Sequence, residues 1–376
     1  MKKIFPLVVL VVLAVYLGTQ LLSDADERPP FVEGIVDDYE IKYSSFPQEV
    51  NLAGEDFLIK EGFLRYPFRI RQDEDCLYIL DLHGPEFYCH IYGKNDLSRI
   101  ASFAPKGNGP QEVLQAMDIH VVSKDSIFLF DTNKREITLW RFSPADSTVS
   151  LKESYSMRDE MIYSSNCTWE TDSSFFFTDK FGANRIVKCN KSGEVVERIG
   201  SIPTNQNAEE KEVVLAQAWN SYISYHPSRQ ILVVATQLGD VLEVYHLRDK
   251  SRYVLYGPYK EPIYDTYQNR YAIPTGIMGY SDVQVTDRYI YAVFHGRSFE
   301  DIIKDPRGTP DGGQFIHIYS HTGVPVCRLI LDHFIYGIDV DEENGVIWAT
   351  DVNSDEQIVR YSIPDVLLGN NTMFNT

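Results

Sequence analysis

The chain has 376 residues, of which 44% are hydrophobic and 13% aromatic, so it is a folded protein with a large core and not a disordered chain. Its formal net charge of −19, with no cluster of Lys and Arg, argues against a nucleic-acid partner. The 5 cysteines are scattered and form no C-x-x-C pair, so they predict neither a zinc motif nor a redox motif.

The first residues carry a signal for export. Two lysines precede an apolar run over Ile4–Leu22, and an acidic, proline-bearing stretch follows. This pattern predicts a signal peptide or signal anchor over residues 1–25. The small residues Ser23 and Ala25 favour cleavage, whereas the apolar run is long enough to span a bilayer and favours retention. We favour retention, with the folded part in the periplasm or cell envelope and the segment 4–22 in the inner membrane.

Beyond a linker over residues 26–44, one short element recurs six times. Each copy is a run of β-forming residues, and most copies end in a polar or small residue. The copies are Leu77–Asp81, Ile127–Asp131, Phe175–Asp179, Leu232–Thr236, Ile290–Phe294 and Ile347–Asp351. Each unit holds about four strand-like runs separated by turn residues. This period predicts an all-β fold, a six-bladed β-propeller over residues 45–365 with four antiparallel strands per blade. A two-sheet sandwich has no reason to repeat in this way.

The last unit indicates how the ring closes. It supplies only three strands before a polar tail over residues 366–376, whereas Pro47–Leu52 lies upstream of the first unit and belongs to none. We therefore expect this N-terminal segment to complete the last blade as its outer strand, because closure removes the exposed edge between the first and last blades.

Two segments resemble known propellers. Tyr336–Tyr361 (YGIDVDEENGVIWATDVNSDEQIVRY) resembles the NHL-type repeat, and Lys106–Glu112 (KGNGPQE) is similar to the Gly-x-Gly-Pro-x-Glu connector of TolB-like six-bladed propellers exported by Bacteroidetes. The resemblance implies the propeller fold. It implies little about function, because such propellers serve as binding scaffolds, lactonases, lyases and interaction platforms.

The long connections indicate which face of the propeller binds a ligand. Antiparallel strands alternate in direction, so loops between blades and loops between second and third strands emerge on the same side. The long connections, which are of these two kinds, span residues 104–116, 201–214, 258–279 and 295–313. We interpret this side, the long-loop face, as the binding face for a carbohydrate, a peptide or a protein. The candidate binding residues are Arg69, Asn108, Tyr264, Tyr267, Arg270, Tyr271 and His295.

Polar residues on the innermost strands suggest a second site. Counting back from the six repeats places oxygen-bearing side chains near the central channel, and Asp118, Asn166, Asn220 and Asp282 are the candidate ligands. Such oxygen ligands suit Ca²⁺, as in lactonase-type propellers that the chain distantly resembles. The alternative is a set of polar side chains that line a water-filled channel without a metal, and we expect no cofactor on that interpretation.

Two functions remain open from the sequence. The chain has no G-x-S-x-G, H-E-x-x-H or phosphate-binding loop motif, so the usual signatures of hydrolytic and nucleotide chemistry are absent from its sequence. The first hypothesis is a non-catalytic, extracytoplasmic binding propeller that uses the long-loop face. The alternative is a Ca²⁺-assisted lactonase or lyase in which His295 acts as acid or base.

Overall fold

The structure is a computed structural model that describes residues 35–59, 64–158, 164, 166–171, 173–179, 184–204, 212–268, 270–305, 308 and 310–369. The predicted signal or anchor segment, residues 1–25, lies outside these ranges. Within them, no helix combines the length and the hydropathy that a membrane span requires.

Six β-sheets form the blades of a propeller, as the repeat predicts. Three strands precede the blades: β1 (Asp37–Lys42), β2 (Glu49–Leu52) and β3 (Glu55–Phe57). Blade 1 contains β4 (Pro67–Gln72), β5 (Cys76–Asp81), β6 (Phe87–Gly93) and β7 (Arg99–Pro105). Blade 2 contains β8 (Ala116–Ser123), β9 (Ser126–Asp131), β10 (Glu136–Ser143) and β11 (Thr148–Ser156). Blade 3 contains β12 (Cys167–Thr171), β13 (Ser174–Thr178), β14 (Ile186–Asn190) and β15 (Val195–Ile199).

The second half of the ring carries the additional elements. Helix α1 (Glu212–Ala218) precedes blade 4, which contains β16 (Ser221–His226), β17 (Ile231–Thr236), β18 (Val241–His246) and β19 (Ser251–Tyr256). A hairpin, β20 (Tyr264–Tyr267) and β21 (Tyr271–Pro274), separates it from blade 5. Blade 5 contains β22 (Tyr280–Val285), β23 (Ile290–Phe294), helix α2 (Phe299–Lys304), β24 (Gly313–Tyr319) and β25 (Pro325–Ile335). Blade 6 contains β26 (Ile338–Asp341), β27 (Val346–Thr350) and β28 (Ile358–Ser362), and helix α3 (Asp365–Leu368) follows.

The repeated sequence element forms the second strand of every blade. Its side chains point alternately to the two faces of the sheet, and each face is covered by a neighbouring blade. In β5, β17 and β23 every residue is therefore buried, which explains why these segments are continuously apolar and do not alternate. Between blades 2 and 3, Phe128 stacks on Trp169 with ring centroids 3.9 Å apart.

The aspartates that end these strands have a structural role. Asp81 accepts hydrogen bonds from the backbone N–H groups of Arg65 (3.0 Å) and Tyr66 (2.7 Å), and Asp131 accepts them from Leu114 (2.6 Å) and Gln115 (3.2 Å). In both blades the carboxylate ties down the connection that enters the same blade. The recurrent aspartate of the sequence pattern thus fixes the start of the inner strand.

The N-terminal segment closes the ring, but through a different strand from the one that we expected. Strand β3 pairs antiparallel with β28 and completes blade 6. Strand β2, which covers most of Pro47–Leu52, instead pairs in parallel with β25 as a fifth strand of blade 5. The expected closing strand was wrong by a few residues because β2 and β3 are adjacent short strands, of 4 and 3 residues, whose partners lie in different blades.

Strand β1 extends this arrangement to blade 4. It pairs in parallel with β19, and Asp38 of β1 receives a hydrogen bond from Arg252 Nε at 3.0 Å. Further along, the Tyr43 hydroxyl lies 2.7 Å from that of Tyr319 and 3.4 Å from Asp240 Oδ1. Before it completes the ring at blade 6, the N-terminal segment therefore runs along the outer edges of blades 4 and 5.

Candidate binding face and central channel

Three of the long connections lie side by side on one face. Gln217 of α1 donates to the carbonyl of Arg270 (3.3 Å) and accepts from the backbone N–H of Ala272 (3.2 Å), which joins α1 to the hairpin. The backbone of the hairpin connection in turn bonds to that of the α2 connection, through Met278 N to Arg297 O at 2.9 Å. The hairpin, α1 and α2 thus form one surface over blades 4 and 5.

The four predicted binding residues of the hairpin divide into a base and a tip. Tyr264 and Tyr271 are half-buried, and Tyr264 packs against the cluster that includes Trp219 and Ala272. Tyr267 is 56% exposed at the tip, where Arg270 is also exposed. The base positions the hairpin on the propeller, and the tip presents an aromatic ring and a cation to the solvent.

Exposed apolar side chains are concentrated on this surface. Of the 13 large hydrophobic residues that are exposed among the described residues, 5 lie between positions 259 and 303. They are Tyr259, Ile263, Tyr267, Ile273 and Ile303, and we call them the apolar patch. Ile303 on α2 is 81% exposed. Such a group on a soluble fold marks an interaction surface more often than scattered single residues do.

His295 lies beneath this surface and not on it. Its side chain is buried, and its Nδ1 accepts a hydrogen bond from the backbone N–H of Arg297 at 3.1 Å. Burial lowers the pKa of His295 to about 4, so the imidazole is neutral at pH 7. The histidine thus holds the turn at the start of the α2 connection.

Asn108 is exposed at the tip of the KGNGPQE connector. The connector is held from within, because Glu112 accepts a hydrogen bond from the backbone N–H of Gly109 at 2.7 Å. Lys134 donates to the carbonyls of Gly109 (2.7 Å) and Glu112 (2.6 Å). A side chain at Gly107 would collide with the Glu112 carboxylate, which explains the glycine and the glutamate of this motif.

Arg69 is buried at the start of the inner strand of blade 1. It is 1% exposed, and its guanidinium lies over the rings of Phe68 (4.0 Å to the centroid) and Tyr222 (4.7 Å). Its Nε is 3.8 Å from Asp282 Oδ1, and its Nη1 donates to the Phe68 carbonyl at 2.9 Å. The predicted binding residue is thus packed inside the protein, where aromatic rings and a carboxylate surround it.

The two channel aspartates share a second arginine. Arg71 Nη1 lies 3.6 Å from Asp282 Oδ2, and its Nη2 lies 3.9 Å from Asp118 Oδ1. Burial raises the pKa of Asp118, but nearby His120 and Arg71 outweigh burial and hold it below its ordinary value. The structure therefore brings Asp118 and Asp282 to one guanidinium, which supplies the positive charge between them.

The two predicted asparagine ligands contact other groups. Asn166 Nδ2 donates to the Ser221 carbonyl at 2.8 Å, and Asn220 hydrogen-bonds to Gln237 at the start of blade 4. Asp339 of blade 6 is also buried, and burial raises its pKa to about 6.

Sequence reasoning missed four residues near Arg69. The Tyr336 ring centroid lies 5.8 Å from its guanidinium carbon, and Arg71 faces the same carboxylate, Asp282. The Tyr66 hydroxyl, in the connection that enters the strand, donates to Asp311 at 3.1 Å. Arg71 had a signal in the sequence, because it follows Arg69 at the two-residue spacing of side chains on one face of a strand. Tyr66 and Asp311 had no such signal in the sequence, because they belong to two connections that are far apart from each other in the chain.

The fold and its loops define a six-bladed propeller with one elaborated face, and comparison with known proteins agrees. Residues 45–343 match the family model described as TolB-like 6-blade propeller-like. The chain therefore belongs to the TolB-like six-bladed propeller family. No curated protein matches the sequence significantly.

Solved structures of Bacteroides proteins share the fold. A DUF4221 family member from Bacteroides vulgatus has 11% identity and a TM-score of 0.58, over 83% of this chain and 97% of that one. A protein of Bacteroides fragilis assigned as exported has 10% identity and a TM-score of 0.52, over 86% of this chain and 98% of that one. An auxiliary nutrient binding protein from Bacteroides ovatus has 10% identity and a TM-score of 0.50, over 83% of this chain and 77% of that one. These identities establish a shared fold alone.

Proposed function

We propose that this chain is a non-catalytic, extracytoplasmic binding protein whose long-loop face takes a protein or peptide partner. The observation that carries the proposal is the apolar patch on the hairpin and α2. The patch rests on elements that bond to one another, since the hairpin bonds to α1 and its connection bonds to that of α2. A preorganised apolar surface loses little conformational entropy when a partner binds.

The composition of the patch favours a protein over a carbohydrate. Three of its five members are isoleucines, which offer apolar area but no flat ring for a sugar to stack on. Tyr267 and Arg270, at the hairpin tip, are of the residue types that are enriched where protein interfaces bind most strongly. The likeness to a nutrient-binding propeller is consistent with a binding role, although it rests on the fold alone.

The predicted export signal supports a location of this surface outside the cytoplasm. The apolar run over Ile4–Leu22 supports export, and the acidic propeller that follows would then face the periplasm or the cell envelope. For the Ca²⁺-assisted enzyme, the contacts of the described residues add no support, because Arg71 lies between the two aspartates and both asparagines bond elsewhere.

Site-specific photo-crosslinking in the native host cell tests the proposal. A photoreactive phenylalanine analogue replaces Tyr267 in the patch or, as the matched control, Val324 in the turn between β24 and β25, which is 53% exposed on the opposite face. We expect an adduct of defined mass at position 267 that yields peptides of a second polypeptide by mass spectrometry, and no adduct at 324. An adduct that glycosidases remove would show a carbohydrate ligand instead. No adduct at 267, or equal adducts at both positions, would contradict the proposal.

A further inference from the structure

Two neighbouring inner strands bring a carboxylate, an imidazole and a thiol together at the boundary between blades 2 and 3. Asp118 and His120 lie on β8, and Cys167 begins β12 of the next blade. Their ligand atoms all lie within 4.8 Å of one another, and no other such group occurs among the described residues. We propose that these side chains form a binding site for Zn²⁺ or another divalent cation that prefers sulfur and nitrogen. This site is independent of the long-loop face.

The spacing is close to that of a bound metal. Zinc–ligand bonds of about 2.0–2.3 Å place the ligand atoms of a tetrahedral site roughly 3.5 Å apart. The three atoms need to approach by about 1 Å, which small rotations of the side chains supply. Since three protein ligands occupy three tetrahedral positions, the fourth would be left to water.

Burial and neighbouring contacts already orient the carboxylate. Asp118 and Cys167 are both 4% exposed. Asp118 Oδ1 accepts the backbone N–H of Ile119 at 2.9 Å and faces Arg71, whereas Oδ2 lies 3.5 Å from His120 Nε2. One carboxylate oxygen is thus held by the protein and the other is directed towards the imidazole. Contacts of this kind orient ligands in metal sites.

The imidazole is positioned in the same way. His120 Nε2 lies 2.9 Å from the Cys167 carbonyl, and a carbonyl only accepts, so Nε2 carries the proton in the metal-free protein. If a metal bound Nε2, it would replace this hydrogen bond and move the proton to Nδ1, so the ring would remain neutral. The thiol of Cys167 would release its proton to the solvent, because the thiolate is the form that binds metals.

The donor set selects the class of metal. Thiolate and imidazole ligands favour Zn²⁺ and related transition-metal ions, whereas Ca²⁺ requires six or more oxygen atoms. A thiolate and a carboxylate match the two positive charges of the cation, and Arg71, which also faces Asp118, keeps Asp282 as its nearer carboxylate. The site therefore includes one of the predicted calcium ligands, Asp118, but would take a different ion.

Cobalt(II) titration of the untagged, full-length chain under reducing conditions tests the proposal. Co²⁺ replaces Zn²⁺ in such sites and gives a thiolate-to-cobalt charge-transfer band. We expect one equivalent to bind with this band, and Zn²⁺ to displace it. Because one thiol proton leaves, the apparent affinity should rise about tenfold per pH unit below the pKa of the thiol.

Variants identify the ligands. Cys167→Ser should abolish the band, and His120→Ala should weaken Co²⁺ binding at least tenfold. The matched control Cys327→Ser changes another buried cysteine, in blade 5, and should retain the band. Circular dichroism of each variant checks that it is folded. The proposal is overturned if the folded wild-type chain gives no band or if Cys167→Ser retains it.

Discussion

Arg185 Nε donates to Glu243 Oε1 at 2.6 Å across the boundary between blades 3 and 4, and both side chains are almost completely buried. Arg185 also donates to the Trp219 carbonyl (2.7 Å) and the Ser221 hydroxyl (2.6 Å), and Glu243 Oε2 accepts from Tyr245 at 2.6 Å. The pair thus joins two blades with its hydrogen-bonding groups in use. Glu243 Oε2 also lies 3.5 Å from Arg252 Nη1, so a change to Arg185 removes one of the two cations that pair with this buried carboxylate.

We predict that Arg185→Leu lowers the free energy of unfolding by about 3–5 kcal/mol, because it removes the nearer of the two cations that pair with the buried Glu243 carboxylate and leaves only Arg252. Urea unfolding followed by tryptophan fluorescence measures the loss. The control is Lys304→Ala, which breaks the exposed pair with Glu300 and should cost less than about 1 kcal/mol. Equal losses in the two variants would show that the buried pair has no special role.

A second prediction concerns Asp240 and pH. Burial raises its pKa to about 6, although it accepts hydrogen bonds from Tyr259 N (3.4 Å) and the Tyr280 hydroxyl (3.1 Å). Since the folded-state pKa lies above the ordinary aspartate value of 3.8, the folded state binds this proton more tightly than the unfolded state. The contribution of Asp240 to stability is therefore full below pH 4 and is lost as the pH rises to about 6.

Asp240→Asn should remove this dependence. Between pH 4 and pH 6 the wild type should lose on the order of 2 kcal/mol of unfolding free energy relative to the variant, because only the wild type carries the titrating carboxyl. Urea titrations at several pH values measure it, with the exposed Asp287→Asn as the control. A pH-independent difference would contradict the assigned pKa.

A third prediction concerns Gly54, where a larger side chain would show how closely the N-terminal segment packs on blade 6. A Cβ atom at this position would lie 2.3 Å from Val359 Cγ1, and the Gly54 N–H bonds to both oxygens of Asp332 at 3.1 Å. Gly54→Val should therefore destabilise the protein by about 1–3 kcal/mol through overpacking. It should also speed proteolysis of the segment before β4. Ala53→Val, at the exposed neighbouring position, should change neither measurement.

Calcium gives a fourth prediction. The channel carboxylates are paired with Arg71, so thermal melting of the metal-free, full-length chain should not change when Ca²⁺ is added. A ligand that binds only the folded state raises the melting temperature with its concentration. If Ca²⁺ raised the melting temperature and Asp282→Asn abolished this rise, the result would support the hypothesis of a Ca²⁺-assisted enzyme.

The blades were predictable from sequence because each depends on a local, repeated pattern of strands and turns. The channel residues were less predictable, since register decides where a side chain points. The inner strands of blades 1, 2 and 5 have an irregularity after the first residue, as between Pro67 and Arg69, which turns Arg69, Asp118 and Asp282 towards one another. The inner strand of blade 4 pairs regularly from Ser221, so Asn220 stays at its entrance. Counting along the chain does not reveal such irregularities.

The path of the N-terminal segment has a consequence for how the chain is made. Its three strands follow the order of their partners, since β1 joins blade 4, β2 joins blade 5 and β3 joins blade 6. As synthesis proceeds, each partner blade becomes available in that same order, and the segment can dock one strand at a time. The last step joins Glu55 to Arg360, 305 residues apart, so the ring is completed only when nearly the whole chain has emerged.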